Sequence, residues 1–247
     1  MIDNAPISAS PFIPKLSVVR GSSRLRDQID RKRSFFFLKR GFDIAFSIVF
    51  VLCILSWLLP LLALLIRLSS KGPVFFVQKR IGFGGKSFSC YKLRTMVINA
   101  DADRVQATEN DKRITRLGWF LRKSNMDEFP QFFNVLKGDM SIVGPRPHMY
   151  ADCHHFSELL PGYKFRNMVK PGLTGLAQVK GFHGPTATRH CILMRYHWDH
   201  YYIRNIGWRL DTGILLHTIW QRFWSVTRFI ASQSGRKAGS ERKILPG

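Results

Sequence analysis

The sequence has little acidic charge, few cysteines and only one long hydrophobic run. Its 247 residues include 38 lysines and arginines against 16 aspartates and glutamates, a formal net charge of +22. The single uncharged run, residues 44–66 (IAFSIVFVLCILSWLLPLLALLI), excludes a transporter with several spans. The four cysteines form no CxxC pair, so we expect neither a disulfide framework nor a zinc site. The first 30 residues are polar and basic and predict no cleavable secretory signal.

The hydrophobic run is long enough to cross a membrane, but a proline interrupts it. A straight helix of roughly 23 residues would span a hydrocarbon core of about 30 Å. Pro60 follows Ser56 by one turn and removes a backbone hydrogen bond, so we expect a membrane break at Ser56 and Pro60. Two topologies follow: a kinked span, or a re-entrant helix that leaves on the side it entered. Basic residues on both flanks favour the re-entrant helix, because a helix that spans the membrane usually has lysine and arginine enriched on its cytoplasmic flank alone.

The sequence predicts a mixed α/β protein that is mainly helical. We expect a flexible basic arm (1–36), a re-entrant membrane helix (37–70), a compact cytoplasmic domain (71–230) and a flexible basic tail (231–247). VFFVQKRI and FSCYKLRTM flank the turn FGGK and predict a small β-hairpin. Residues 101–112 predict an exposed connection, followed by one helix at 114–123 and another that starts near residue 127. The aromatic and basic residues of 211–229 are typical of an interfacial amphipathic helix, or equally of a core helix.

Candidate chemistry concentrates at Asp127 and Glu128. Large apolar residues after them recur at helical spacing, which predicts a buried stripe and places Pro130 in the first helical turn. The stripe comprises Phe129, Phe132, Phe133 and Leu136. The carboxylates would then lie at a helix N-terminus, where position alone favours a capping role. The alternative is chemical: the same position keeps Asp127 ionised as a nucleophile toward phosphorus, and Glu128 holds Mg²⁺.

Basic residues are placed to bind phosphate near such a pair. Lys92 and Arg94 alternate onto one face of the second hairpin strand, which predicts a two-pronged clamp. Arg122 lies on the approach to the acidic pair, and Arg146 lies between two prolines that stiffen its backbone. Each of these alone is more often a solvated surface charge, so a phosphate site requires that they converge.

Four segments resemble the bacterial sugar transferases, the monotopic polyprenyl-phosphate phosphoglycosyl transferases, in their short form. These segments are GPVFFVQKRIGFGGKSFSCYKLRTM, RITRLGWFLRKSNMDEFPQFFNVLKGDMSIVGPRPHM, VKPGLTGLAQVKG and DHYYIRN. The resemblance covers about residues 38–225 and implies transfer of a sugar-1-phosphate from a UDP-sugar to undecaprenyl phosphate, with release of UMP. This reaction would be the first membrane step of exopolysaccharide, capsule, O-antigen or other glycan synthesis. The family often breaks its membrane helix at a Ser-Pro dipeptide, whereas here three residues separate Ser56 from Pro60.

The resemblance also implies roles and partners. Asp127 would form an aspartyl phosphate-sugar intermediate, with Glu128 as its Mg²⁺-associated partner. The implied substrate-phosphate residues are Lys92, Arg94, Arg122, Arg146 and Asp199. Expected partners are the UDP-sugar, undecaprenyl phosphate, anionic lipids of the bacterial inner membrane at its cytoplasmic face, and downstream glycosyltransferases; a homodimer is left open and nucleic acid is not expected. The alternatives are a non-catalytic basic protein that binds membrane or nucleic acid through charge, and a subunit that is inert without its partner.

Overall fold

The computed structural model describes residues 22–98, 111–182 and 188–241, with side chains as far as residue 224. Within these ranges the protein is mainly helical, as predicted, and has two small two-stranded sheets, of which the sequence predicted only the hairpin. The helices are α1 (Ser22–Asp30), α2 (Arg33–Phe50), α3 (Ser56–Ser69), α4 (Arg116–Ser124), α5 (Gln131–Lys137), α6 (Tyr150–Leu159), α7 (Leu176–Val179), α8 (Arg189–Arg204) and α9 (Trp208–Glu241). The strands are β1 (Phe75–Ile81), β2 (Ser87–Leu93), β3 (Ser141–Val143) and β4 (Gly172–Thr174). Most of the predicted connection at 101–112 lies outside the described residues.

Part of the predicted flexible arm is a helix. Leu25 and Ile29 recur one turn apart on α1 and pack on the main core, so this basic segment has an apolar face to bury. The Lys32 ammonium then donates to the carbonyl of Ile206 at 2.6 Å, which ties the start of α2 to the domain. Helix α9 continues to Glu241 and so extends into the predicted tail (231–247). Residues 1–21 and 242–247 lie outside the described residues.

A continuous helix of 37 residues, Arg33–Ser69, contains the hydrophobic run. Within the described ranges it is the one helix whose length and composition would allow it to cross a membrane. The helix is not interrupted at Ser56 and Pro60, where we expected a break; its hydrogen-bonding pattern changes just before Ser56 instead. A π-helical segment, Val51–Leu55, separates α2 from α3 directly before Ser56, and Pro60 lies inside α3. Side chains satisfy carbonyls in this segment: Ser56 Oγ donates to Leu52 and Trp57 Nε1 donates to Cys53.

One face of this long helix lies against the domain from α2 through α3. The buried residues on this face are Lys39, Asp43, Ser47, Leu55, Leu58, Leu62 and Ile66. In α2 the buried face is polar: the Lys39 ammonium lies 2.5 Å from Asp211, and Asp43 accepts the Ile142 N–H at 3.1 Å. The exposed residues of the helix are mostly large and apolar, among them Phe42, Phe46, Val49, Leu52, Leu61, Leu64 and Leu68. The face turned to the domain is therefore polar in α2 and apolar in α3, while the outward face is apolar along both.

The predicted hairpin is confirmed and is held over two packed clusters. β1 and β2 are antiparallel, with Phe75 opposite Leu93, and a short 3₁₀ turn joins them. A smaller cluster joins α3, β2 and α4 through Leu62, Leu93 and Leu121, and Phe129 packs against it. Because Leu121 is fully buried, truncating it to alanine would cost about 2–5 kcal/mol. The hairpin and α4 thus hold the segment between α4 and α5 from two sides.

Candidate active site

Asp127 and Glu128 lie in a single 3₁₀ turn between α4 and α5. Asn125 ends α4 in the left-handed conformation, at φ 58°, which asparagine tolerates better than most residues. Pro130 is the N-cap of α5, so this helix begins four residues later than expected. The acidic pair therefore precedes the helix, on a turn fixed by Asn125 and Pro130.

Neither carboxylate forms a side-chain cap of α5, whose N-cap is Pro130. The N-cap position makes no side-chain hydrogen bond. Instead, Glu128 Oε1 accepts from Lys92 Nζ at 2.7 Å and from Arg146 Nη2 at 2.6 Å, and Oε2 accepts from Arg146 Nη1 at 3.2 Å. Burial alone would raise the pKa of Glu128, but the charges of Arg146 and Lys92 hold it well below its usual range. Glu128 is thus a fixed carboxylate that aligns two cations.

Asp127 is buried without such support. Its side chain is 8% exposed, and no side chain or backbone N–H in the described part of the chain donates to its carboxylate. Burial raises its pKa to about 6, with Glu128 adding to the rise while Lys92, Arg122 and Arg146 oppose it. We expected the helix N-terminus to keep Asp127 ionised, whereas desolvation controls this group. The carboxylate is still mostly ionised at pH 7 and carries lone pairs that no donor occupies.

Arg122 reaches the site, whereas Arg94 does not. Arg122 Nε donates to Thr95 Oγ1 at 2.9 Å. This contact needs Gly118, because a Cβ there would lie 1.9 Å from the Thr95 carbonyl oxygen. Arg94 follows the last residue of β2, and its guanidinium donates to the carbonyls of Ile66, Ser70 and Lys71 at the end of α3. The predicted clamp of Lys92 and Arg94 is therefore not formed, and Arg94 acts as a C-terminal cap.

Asp199 acts at a distance from the acidic pair. It is buried and lies 3.0 Å from the guanidinium of Arg166. Arg166 Nη2 also donates to the main-chain carbonyl of Arg146 at 2.5 Å. Asp199 therefore pairs with Arg166, which in turn donates to the backbone of Arg146, and its implied role in binding phosphate stays a prediction. Its negative charge would itself repel a phosphate.

Sequence reasoning missed Arg166 and Asn134. Asn134 is fully buried; its amide donates to the Ser89 carbonyl at 2.7 Å and accepts the Tyr91 N–H at 3.0 Å. The Asn134 amide thus pairs with main-chain groups of β2 as a neighbouring strand would, and β2 is the strand that carries Lys92. A polar residue between the apolar pairs Phe132-Phe133 and Val135-Leu136 was the available signal for Asn134. Arg166 gave none, because Arg146 and Asp199, which link it to the site, lie 20 and 33 residues away in the sequence.

The predicted aromatic stripe is only partly buried and faces the long helix. The Phe132 ring stacks on Phe50 with centroids 4.0 Å apart, and Phe129 meets Phe50 edge-on at 5.2 Å. The fully buried face of α5 instead carries Gln131, Asn134 and Val135. These ring contacts join the hydrophobic helix directly to the turn that carries the acidic pair.

The acidic pair fits a magnesium ion. The described residues contain no group of three or more His, Cys, Asp or Glu side chains arranged to hold a metal. Mg²⁺ needs fewer, since it usually takes one or two carboxylates together with water and substrate phosphates. Asp127 has unoccupied lone pairs, and Glu128 Oε2 accepts one hydrogen bond of 3.2 Å. Oxygen atoms of the kind that Mg²⁺ prefers are thus available on neighbouring residues.

Comparison with known proteins places these residues within a family. The sequence model of the bacterial sugar transferases matches residues 34–225. A UDP-glucose:undecaprenyl-phosphate glucose-1-phosphate transferase of Klebsiella pneumoniae is 44% identical over 186 residues, which cover 75% of this chain and 40% of that protein. A transferase of the same name from Caulobacter vibrioides is 40% identical over 215 residues, covering 87% and 78%. The exopolysaccharide production protein PSS of Rhizobium leguminosarum bv. phaseoli is 44% identical over 187 residues, covering 74% and 93%. The match thus spans well under half of the Klebsiella protein and most of the other two.

Proposed function

The chain belongs to the bacterial sugar transferase family, and from this premise we propose that it transfers a sugar-1-phosphate from a UDP-sugar to undecaprenyl phosphate with release of UMP. The observation that carries the proposal is the buried acidic pair, in which Asp127 has free lone pairs beside a Glu128 held by two cations. The names of the Klebsiella and Caulobacter relatives support both substrates and make UDP-glucose the first donor to test. The name of the Rhizobium relative supports a place in exopolysaccharide production.

Asp127 is the nucleophile of the first step. One of its carboxylate oxygens attacks the phosphorus that bears the sugar, and the bond between that phosphorus and UMP breaks. UMP leaves, and an aspartyl phosphate-sugar intermediate remains on the protein. Lys92, Arg122 and Arg146 surround the pair with positive charge, which lets a diphosphate approach two carboxylates.

In the second step an oxygen of undecaprenyl phosphate attacks the phosphorus of the intermediate. The bond from phosphorus to Asp127 breaks, which regenerates the free carboxylate. Glu128 stays ionised throughout and keeps Lys92 and Arg146 aligned with the reacting phosphate. Asp127 and Glu128 would hold Mg²⁺, which when bound neutralises charge on the phosphate oxygens.

The long helix is proposed to be re-entrant, with both ends on the cytoplasmic side. The domain packs along it from Lys39 to Ile66, whereas a helix that crossed alone would leave the domain for about 30 Å of hydrocarbon. The domain also holds the helix near both ends: Arg40 donates to carbonyls of α5, and Arg94 caps α3. Exposed aromatic residues of other helices would lie in the same interface. They are Trp119 and Phe120 on α4, and Trp220, Phe223 and Trp224 on α9.

Cysteines introduced at Arg31 and Lys71, one on each flank, test this topology. A membrane-impermeant thiol reagent added outside intact spheroplasts should label neither position, and both should react after lysis. Labelling of one flank from outside would show that the helix crosses the membrane.

The activity is tested with the purified full chain, undecaprenyl phosphate, Mg²⁺ and a panel of UDP-sugars. UMP release should require one UDP-sugar and should vanish in Asp127→Asn, while Glu128→Gln should reduce it by roughly 10²-fold or more. A donor labelled in the sugar should leave acid-stable label on the protein when the acceptor is omitted. The matched control is Glu158→Gln, which removes an exposed carboxylate from α6. Label retained by Asp127→Asn would refute the nucleophile, whereas absence of UMP release with every donor would refute the function.

A further inference from the structure

A large cavity lies between the N-terminal helices and the rest of the domain, and none of the proposed catalytic residues lines it. Its volume is about 1030 Å³. Its walls come from α1, α2, the hairpin turn, β3 and the 3₁₀ segment Tyr163–Met168. This volume is at the upper end of the range of about 300–1,000 Å³ that is usual for small-molecule sites.

The cavity carries more positive charge than the protein neutralises. Six basic side chains line it, against only Asp30 and Asp43. Lys39 pairs with Asp211, and Arg40 donates to carbonyls of α5. The remaining four make no ion pair within the part of the chain that is described: Arg26, Arg33, Lys164 and Lys170. A ligand that neutralises this surface must be an anion.

Lys170 and Arg40 mark a point where an anion would be stabilised. A Cβ built on Gly138 would lie 3.5 Å from Arg40 Nη2 and 3.6 Å from Lys170 Nζ, so both cations approach the same position. Burial and the charge of Arg40 lower the pKa of Lys170, and the carboxylates of Asp43 and Asp139 oppose this shift only in part. A phosphate near these groups would offset the repulsion between them.

The ligand must also have an apolar part. Much of the remaining lining is hydrophobic: Ile29, Phe36, Phe165, Met168, Val169 and Ile206. α2 contributes Phe36 to this wall and carries the exposed side chains Phe37 and Leu38 beside it, on the surface that we place in the membrane. The sequence of residues 1–21 supplies no net negative charge to offset the lining, because Lys15 and Arg20 outnumber Asp3.

We propose that this cavity binds an anionic phospholipid, with its phosphate held by Lys170 near Arg40, Lys164 adding to the positive charge of the lining, and the first part of its chains on the apolar wall. Such a lipid would join α1 and α2 to the domain at the membrane surface. The proposal rests on the proposed membrane placement and is independent of the transfer chemistry, since its readout is bound lipid and not turnover.

The test measures lipid retained by the full chain. Protein in detergent is mixed with phosphatidylglycerol or phosphatidylcholine, separated by gel filtration, and its bound lipid is quantified by mass spectrometry. About one phosphatidylglycerol should remain per chain, with roughly tenfold less phosphatidylcholine. The Lys164→Ala/Lys170→Ala variant should lose roughly tenfold of the retained phosphatidylglycerol. Ile29→Trp, which fills the cavity without changing its charge, should show a similar loss.

A matched control separates the cavity from general surface charge. Lys71→Ala/Lys123→Ala removes the same charge from exposed lysines outside the lining and should retain lipid as the unmodified chain does. Equal retention by the cavity and control variants, or equal binding of the two lipids, would overturn the proposal. Complete displacement by millimolar inorganic phosphate would show a simple anion site and refute the lipid assignment.

Discussion

Replacing Asp127 with asparagine is expected to abolish transfer and, at the same time, to stabilise the protein at pH 7. The reason is that burial raises the pKa of this carboxyl from its ordinary value of 3.8 to about 6. The unfolded chain therefore ionises this group more readily than the folded protein does. Keeping the charged carboxylate in the fold costs free energy at every pH above its folded pKa.

The magnitude follows from the difference between the two pKa values. A difference of about 2 units corresponds to about 3 kcal/mol at pH 7. The same linkage gives about 1.5 kcal/mol at pH 5 and less than about 1 kcal/mol at pH 4. For a protein of this size, 3 kcal/mol raises the unfolding temperature by roughly 6–12 °C. The gain in Asp127→Asn should therefore grow from pH 4 to pH 7 and then level off.

Glu128 supplies a control, because its replacement should change the stability of the protein in the opposite direction. Ion pairs hold the pKa of Glu128 well below its usual range, so its charge stabilises the fold above its ordinary pKa and that contribution is lost as pH falls. Glu128→Gln should therefore lower the unfolding temperature at pH 7. Thermal unfolding of both variants in one detergent, between pH 4 and pH 8, tests the pair. If Asp127→Asn is no more stable than the unmodified chain at pH 7, burial does not control Asp127 and the reasoning fails.

Three further predictions concern the groups around the pair. The rate of UMP release without acceptor should decrease at pH values below about 6, where Asp127 becomes protonated. Because Lys92 lowers the pKa of Asp127, Lys92→Met should shift the midpoint of this pH profile upward, and an unchanged midpoint would contradict the role of Lys92. Asn134→Ala should lower the free energy of unfolding by roughly 1–3 kcal/mol in denaturant titrations, because it leaves two partly buried main-chain groups of β2 unpaired; a loss below about 0.5 kcal/mol would exclude this role. Arg166→Met should slow UMP release, and adding Asp199→Asn should restore part of the rate; strictly additive effects would show that the two residues act separately.

The sequence predicted the features that depend on local pattern. Alternating strands around FGGK were sufficient for the hairpin, and the prolines and stripe spacing located the acidic pair to within a few residues of α5. The error over Arg94 shows the limit of that approach. The alternation of side chains predicts which face of the sheet a residue occupies only within the strand. Strand β2 ends at Leu93, one residue before Arg94, so the rule did not apply to Arg94.

Charge partners could not be read from the sequence. Asp199 belongs to a recognisable segment, yet its role depends on Arg166, 33 residues away, and on a carbonyl of Arg146. The capping explanation for the acidic pair was reasonable from position, but Lys92 and Arg146 approach Glu128 from distant parts of the chain. The burial that controls Asp127 is likewise a property of the assembled fold.

The π-helical segment Val51–Leu55 is a place where the long helix could lose one residue and still present the same face to the domain. A regular α-helix turns about 100° per residue, so the 27 residues from Lys39 to Ile66 would bring these two side chains to opposite sides. A π-helix rotates by only roughly 80° per residue, so the five π-helical residues reduce the total rotation by about a quarter turn. Lys39 and Ile66 can then both face the domain. Five residues in this form turn the chain about as far as four in an α-helix. One residue could therefore be deleted from the segment with both halves still facing the domain, whereas a deletion in the regular turns on either side would rotate one half by about 100°.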